Sequence, residues 1–173
     1  MSPGQRRAPD LRRAVVAVAL AAACGGEGTA PTLPGAADLE GLFGPGVTVE
    51  LTGNVVDVTA LQPDDQLRRG GATWARVGPY VFLFSPQTQD LFESFSGIGG
   101  VRVTTVDRRG DLVGRALLER STLNSVTWRK AINLAGRARL EGTRRPSYVL
   151  DLIRYGEELV EHEYGATYVS EDP

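Results

Sequence analysis

Hydrophobic and polar residues alternate along much of the chain after Gly46, with the period of two that is typical of half-buried β-strands. Val47, Val49 and Leu51 alternate with threonine and glutamate, and a second valine-rich run follows at residues 55–58. Gly53 separates the two runs and marks a bend or bulge. The pattern therefore predicts two consecutive strands at the start of the domain.

The middle of the chain predicts a loop, two more strands and one short helix. Residues 61–72 are polar and rich in turn-forming residues, which favours a loop. The apolar runs 73–77 and 80–85 predict a strand pair around a Gly-Pro turn, and the second run is apolar on both faces. Residues 90–96, DLFESFS, have helical spacing behind a capping aspartate.

The second half of the chain predicts strands throughout. Residues 101–105 alternate and lead into VDRRGDL, a hairpin turn in which Gly110 can adopt a positive φ, and residues 112–119 form the returning strand. Even-numbered positions from 126 to 140 are hydrophobic apart from Lys130, which predicts one long bent strand or two joined strands. The residues predicted to point inward are Val126, Trp128, Ile132, Leu134 and Leu140, and those predicted to face water are Arg129, Asn133, Arg137 and Arg139. Residues 147–155 and 159–169 predict the last two strands.

About eight strands with short loops and one minor helix indicate a mainly β, antiparallel protein. Over residues 47–119, the order of three strands, the LFESF helix and a strand after Gly99-Gly100 resembles an OB-like fold, which implies a small antiparallel β-barrel. The strand–turn–strand of residues 101–117 resembles Ig-like or transthyretin-like domains of envelope proteins. An Ig-like or transthyretin-like β-sandwich is therefore the alternative fold.

The N-terminal residues have the pattern of a secretory signal. Four arginines within residues 6–13 precede an apolar run, residues 14–23, and then the only cysteine, Cys24. The ten-residue run is shorter than the ~20 apolar residues that span a bilayer. The sequence Ala-Ala-Ala-Cys24-Gly-Gly resembles the lipobox of bacterial lipoproteins, which implies cleavage before Cys24 and attachment of a diacylglyceryl group to its thiol. The alternative is an ordinary secretory signal that contains a cysteine.

These patterns divide the chain into three parts. Residues 1–23 are predicted to be the signal peptide, residues 24–46 a lipid-anchored flexible tether, and residues 47–173 a single β domain. The tether is predicted because its Gly-, Pro-, Ala- and Thr-rich sequence lacks a periodic apolar face. Leu39, Leu42 and Phe43 are expected to pack on the domain as a short lead-in.

Charge and cysteine content narrow the possible partners. After removal of residues 1–23, the chain keeps 15 basic and 20 acidic residues, so it has no overall electrostatic attraction for nucleic acid. No second cysteine is present for an intrachain disulfide, so burial of the core must stabilise the domain. We expect no cofactor, because the sequence contains no phosphate-binding loop and too few His and Cys residues for a zinc site.

Few residues in the sequence suggest catalysis or metal binding. His162 is the only histidine, and no GxSxG nucleophile motif accompanies it. Glu161, His162 and Glu163 are weak candidates for a cation site, against the simpler interpretation of a solvated edge strand. On a strand, Glu161 and Glu163 share one face, whereas Glu158, His162 and Tyr164 share the other.

Two further groups of residues are candidates for binding or catalysis. Asp64 and Asp65 could act as the paired acids of a glycosidase, although a turn explains them more simply. Trp74, Trp128 and Tyr80 could stack against a sugar or peptide, although aromatic residues at this spacing are more often part of a core.

The sequence therefore predicts a lipid-anchored protein of the bacterial cell envelope that acts as a binding or scaffolding module and not as an enzyme. The expected partners are the membrane, through lipid on Cys24, and an envelope protein or glycan, but no nucleic acid. The domain is expected in the periplasm or outside the cell. The alternative function is an envelope hydrolase that uses paired carboxylates.

Overall fold

Five strands form one open mixed sheet in the computed structural model, which describes residues 30–169. The elements in chain order are α1 (Ala36–Leu39), β1 (Val47–Thr52), β2 (Val55–Leu61), α2 (Asp64–Leu83), α3 (Pro86–Ser94), β3 (Gly100–Val106), β4 (Leu112–Glu119), α4 (Ser125–Glu141), α5 (Pro146–Leu159) and β5 (Glu161–Tyr164). The strands lie in the sheet in the order β1-β2-β3-β4-β5. Strands β2 and β3 are parallel because α2 and α3 connect them, and the other neighbours are antiparallel.

The two faces of the sheet differ in polarity. Val56 and Val58 of β2 and Val101 and Val103 of β3 are buried, and α2 packs on the same sheet across β3 and β4. The residues between them point to the other face, where Arg102 Nη1 lies 2.9 Å from Asp57 Oδ1. The helices therefore cover one face and leave a polar face open to water.

The predicted mainly β fold is wrong. The chain forms an open α/β sheet and not a closed OB-like β-barrel, and one five-stranded sheet cannot form the two layers of the alternative β-sandwich. The predictions of β1, β2, β3 and β4 are confirmed, as is a helix around DLFES, which lies at the end of α3. The predicted capping role of Asp90 is wrong, because α3 begins at Pro86 and Ser85 is its N-cap residue. The predicted hairpin turn is also confirmed, since Gly110 has a φ of 87°.

Helix α2, at residues 64–83, replaces most of the predicted loop at residues 61–72 and of the predicted strand pair that follows it. The run at residues 77–84 is apolar on every side, and such a short run cannot distinguish a strand from a buried helix. Gly78 allows α2 to approach the sheet closely, because a Cβ there would lie 3.2 Å from Thr105 Cγ2. Burial of Tyr80 and Leu83 then outweighs the low helix propensity of Gly78 and Pro79.

Helix α4 replaces the predicted long strand at residues 126–140. Asn124 caps it by accepting hydrogen bonds from the backbone N–H groups of Val126 and Thr127, at 2.9 and 3.0 Å. Trp128 is buried as predicted, but Val126 and Leu140 are 63% and 84% exposed. The other buried positions, at helical spacing from Trp128, are Ala131, Ala135 and Ala138. Of the remaining residues predicted to point inward, Ile132 and Leu134 are partly buried, and all four predicted to face water are exposed.

The last two predicted strands are also corrected. Residues 147–155 lie in α5, which begins with Pro146 at its first turn, where proline needs no backbone N–H. Only Glu161–Tyr164 forms a strand within the second region.

The compact folded unit begins at Pro31, so part of the predicted tether is folded. Leu39 is buried, and Leu42 and Phe43 pack against the core, as predicted for a lead-in. The backbone N–H of Gly97 donates to the carbonyl of Thr32 at 2.7 Å. All ten elements and the whole described core belong to this unit.

No helix among residues 30–169 is long and apolar enough to cross a membrane. Cys24 and the predicted signal peptide lie outside the described residues.

Candidate functional site

Two adjoining cavities lie where α2 faces the connection between α4 and α5. Their volumes are about 450 and 330 Å³, which is within the usual range for small-ligand sites. Gln66, Trp74, Thr143 and Val149 line both cavities. We call the combined depression around these four residues the Trp74 groove.

Trp74 is half-buried and is held in place by a glycine one helical turn earlier. Gly70 has non-helical backbone angles, so α2 is kinked there. A Cβ at Gly70 would lie 2.8 Å from Trp74 Cδ1, so the indole ring packs directly on the glycine backbone. The Nε1–H of Trp74 forms no hydrogen bond within the described residues, where every buried side-chain nitrogen and oxygen has a partner. This donor is therefore accessible to a ligand.

Polar side chains surround Trp74. Gln62 Nε2 donates to Gln66 Oε1 at 2.5 Å, which leaves the amide N–H groups of Gln66 free within the described residues. Asp65 forms an ion pair with Arg69 on the next turn of α2. Thr143 contributes a hydroxyl from the opposite wall. The groove thus combines one aromatic ring with donors and acceptors of several kinds.

Only one of the three aromatic residues predicted to form a stacking platform is available. Trp128 is buried against Phe92, with ring centroids 6.2 Å apart, and Tyr80 is buried against Phe84 at 6.0 Å. The proposed three-residue platform is therefore absent from the described structure, and Trp74 alone lines a cavity. Trp128 and Tyr80 are instead part of the core, which was the simpler interpretation of these aromatic residues.

Asp64 and Asp65 do not act together in the structure. Asp64 lies 3.0 Å from Arg108 on the β3–β4 turn, whereas Asp65 pairs with Arg69. Of the described residues that line the Trp74 groove, Asp65 is the only carboxylate. The pair begins α2, where carboxylates interact favourably with the helix dipole.

Strand β5 separates the three candidate cation ligands. Glu161 and Glu163 pair with Leu117 and Arg115, whereas His162 alternates with them and points to the opposite face. No group of three or more His, Cys, Asp or Glu side chains within residues 30–169 could hold a metal ion. Glu163 instead lies 3.3 Å from Arg115. The predicted alternation is confirmed for residues 161–164, but Glu158 belongs to α5.

A second polar cluster joins α2, α5 and β5. Arg76 donates to both carboxylate oxygens of Glu157, at 2.8 and 2.7 Å, and Tyr164 Oη donates to Glu157 Oε1 at 2.9 Å. The hydroxyl of Tyr80 lies 2.7 Å from that of Tyr164.

Burial raises the pKa of Tyr80 to about 12, although the hydrogen bond with Tyr164 opposes this shift. Burial also raises the pKa of Tyr164, and the neighbouring Tyr80 and Glu157 add to the effect. Both phenols are therefore protonated near neutral pH, and the cluster holds β5 against the helices.

The chain pattern did not indicate most of the groove. Gln62, Gln66 and Thr143 come together only because α2 is a helix that faces the α4–α5 connection.

Comparisons of the chain with protein-family models, with curated proteins and with solved structures gave no match.

Proposed function

We propose that this chain is a lipid-anchored protein of the bacterial cell envelope, and that its folded unit binds a saccharide in the Trp74 groove. The lipid anchor rests on the lipobox-like sequence before Cys24. The observation that supports the saccharide is the half-buried indole of Trp74, with a free donor, between two cavities with polar side chains.

A sugar ring fits this combination of groups. Its C–H face is apolar and packs against an aromatic ring, while its hydroxyl groups need donors and acceptors at the edge of that ring. Trp74 provides the ring and Gln66, Asp65 and Thr143 provide polar partners. A purely apolar ligand would instead leave these partners without hydrogen bonds, which costs binding free energy.

The residues of the groove favour binding of a saccharide without its hydrolysis. Glycosidases use two carboxyl groups, one on each side of the scissile bond. Asp65 is the single carboxylate among the described lining residues, and its partner is Arg69. We therefore propose a binding module and do not favour the alternative of a hydrolase.

The two tryptophans allow a direct test by fluorescence. An oligosaccharide of N-acetylglucosamine, the probe, should change the emission of the wild-type chain and of the Trp128→Phe variant. The change should be absent in Trp74→Phe, because Trp128 is buried away from the groove. Trp74→Ala should weaken binding at least about tenfold, which is the effect of losing ~1.4 kcal/mol.

Matched glutamine variants provide the control. Gln66→Ala should weaken binding measured by calorimetry, whereas Gln87→Ala, outside the groove, should not. Unchanged affinity in Trp74→Ala, or no binding of oligosaccharides of this or other hexoses, would overturn the saccharide proposal. Release of new reducing ends would favour the hydrolase.

A further inference from the structure

Helix α4 presents one continuous exposed stripe to solvent. Its members lie three or four residues apart, or are adjacent, so they fall on one side of the helix. They are Val126, Arg129, Lys130, Asn133, Arg137 and Leu140, and all six are exposed. We call this set the α4 stripe. It contains three basic residues and no acidic residue.

The α4 region concentrates the positive charge of the folded unit. Residues 125–145 contain six basic side chains and one acidic side chain, whereas the rest of residues 30–169 contains nine basic and sixteen acidic side chains. Arg129, Lys130 and Arg137 form no ion pair with a described carboxylate. Lys130 Nζ lies 4.6 Å from the centre of the Tyr155 ring, and Arg137 Cζ lies 5.9 Å from that of Tyr148, so both keep their charge without a carboxylate partner. The acidic remainder of the unit is repelled by an anionic surface, so such a surface would meet α4 first.

Aliphatic side chains lie at both ends of the stripe. Val126 in the first turn is 63% exposed and Leu140 in the last turn is 84% exposed. On an anionic membrane, the basic side chains would contact lipid phosphates while Val126 and Leu140 entered the apolar edge of the headgroup region. Nucleic acid would satisfy the arginines but would offer no apolar environment to Val126 and Leu140.

The chain enters the folded unit beside the C-terminal end of α3. The Thr32 backbone N–H donates to Ser96 Oγ at 3.2 Å, just after α3, and Phe92 of α3 packs on Trp128 of α4. Cys24 precedes Pro31 by only seven residues, which can span at most about 25 Å. A lipid on Cys24 would therefore keep the folded unit within about 25 Å of the bilayer.

We propose that the α4 stripe lies on the surface of a bilayer that contains anionic phospholipid, and so orients the folded unit on the membrane. The lipid attached to Cys24 provides attachment, in the proposed function on which this inference partly rests, and the stripe selects the face that meets the headgroups. Ala138 and Arg139, which line the Trp74 groove, point away from the stripe on the far side of α4. The groove thus stays open while the stripe contacts lipid.

The test measures vesicle binding without the anchor. The chain from residue 24 onward, with Cys24→Ser, contains the complete compact unit and carries no lipid. Its cosedimentation is compared on vesicles of phosphatidylglycerol with phosphatidylcholine and on vesicles of phosphatidylcholine alone. Each basic residue near an anionic surface contributes about fivefold to partitioning, so Arg129→Gln, Lys130→Gln and Arg137→Gln together should reduce it about 100-fold on the anionic vesicles.

A second triple variant controls for net charge. Arg68→Gln, Arg108→Gln and Arg154→Gln remove the same charge from exposed positions outside the stripe, and partitioning should change little. Val126→Ser with Leu140→Ser should weaken anionic binding several-fold, and added salt should reduce the wild-type binding strongly. Thermal melting verifies that every variant is folded.

Equal partitioning of the wild type and the α4 triple variant would overturn the proposal, as would an equal loss in the control triple variant. Stripe-dependent binding to a DNA duplex without vesicle binding would also overturn it. Lipid labelling of Cys24 in cells is a separate measurement. Absence of lipid on Cys24 would contradict the proposed anchor but would leave the vesicle result unchanged. The two measurements therefore distinguish failure of the proposed anchor from failure of the proposed membrane contact of α4.

Discussion

Asp107 shows how a single carboxyl group can hold two parts of the chain together. It lies after β3 and is only 7% exposed. Its oxygens accept hydrogen bonds from the backbone N–H groups of Arg109 and Asp111, at 2.8 and 3.0 Å, and from the hydroxyl of Tyr168 at 2.8 Å. Because Tyr168 follows β5, its hydrogen bond to Asp107 joins the C-terminal segment to the β3–β4 turn.

The pKa of Asp107 predicts an acid-dependent loss of stability. Desolvation raises this pKa, but the hydrogen bonds from Tyr168, Asp111 and Arg109 together lower it to about 2, from an ordinary value of 3.8. Because the folded-state pKa is lowered, the stabilisation is present above about pH 4 and is lost as the pH falls toward 2. Asp107→Asn should therefore melt below the wild type at neutral pH, and the difference in Tm should disappear near pH 2.

Asp151→Asn is the matched control, since Asp151 is an exposed residue of α5. Its Tm should follow that of the wild type across the same pH range. A difference between Asp107→Asn and the wild type that persists unchanged at pH 2 would contradict the assigned cause.

At the scale of elements, the helices pack closely because several glycines leave room for their neighbours. Gly156 of α5 lies against Tyr80 of α2, and a Cβ there would be 2.5 Å from Tyr80 Cδ1. Tyr80 is fully buried and hydrogen-bonded to Tyr164, so the ring has no space to move away. A Cβ added at Gly136 of α4, by contrast, would have no atom within 4 Å, apart from the helix's own backbone and the adjacent residues.

This contrast predicts opposite effects for one substitution in two helices. Gly156→Ala should destabilise the protein by about 1–3 kcal/mol, because the added methyl group overpacks the α2–α5 contact. Gly136→Ala should stabilise it by about 0.5–1 kcal/mol, because alanine favours the helix and meets open space. Chemical denaturation of both variants measures the two changes, and equal signs would contradict the packing described for Gly156.

The elements also show why the sequence predicted only part of the fold. Strands β1 to β4 alternate in polarity and turn at glycines such as Gly110, so local patterning is enough to find them. Helix α4 hides its period, because its buried stripe contains small residues such as Ala131 and Ala135, while large residues such as Leu140 are exposed. Helix α2 contains Gly78 and Pro79, and only its packing on the sheet makes a helix favourable there.

Of the candidate site, the sequence indicates only Trp74 and Asp65, each for a different reason. Trp74 was identified as a residue that could stack against a sugar, but its partners on the groove wall depend on the position of α2 opposite the α4–α5 connection. Trp74 and Thr143 line the same cavities but lie far apart in the sequence, so no local pattern brings them together. Because the pattern at residues 73–77 predicts a strand, it gives no indication of a groove around Trp74.

At the scale of the whole molecule, the folded unit includes the segment before β1. Leu39 of α1 is 4% exposed and belongs to the main core, although the sequence around it resembles a linker. The segment completes the core and does not only connect it to the N-terminus.

Leu39→Ala should therefore cost about 2–5 kcal/mol of unfolding free energy, as expected for a leucine removed from a core. Leu140→Ala is the matched control, and it should change stability by less than about 0.5 kcal/mol because this leucine is 84% exposed. Urea denaturation distinguishes the two. Equal midpoints for these variants would mean that α1 contributes nothing to the folded unit.

The order of the strands has a consequence for how the sheet can assemble while the chain is being synthesised. Each strand from β2 to β5 pairs with the strand that precedes it in the chain, so the sheet grows at one edge only. A chain that emerges N-terminus first can therefore add each strand as it appears, without opening a pair already formed. The final addition is β5, which Tyr164 secures through its bonds to Tyr80 and Glu157.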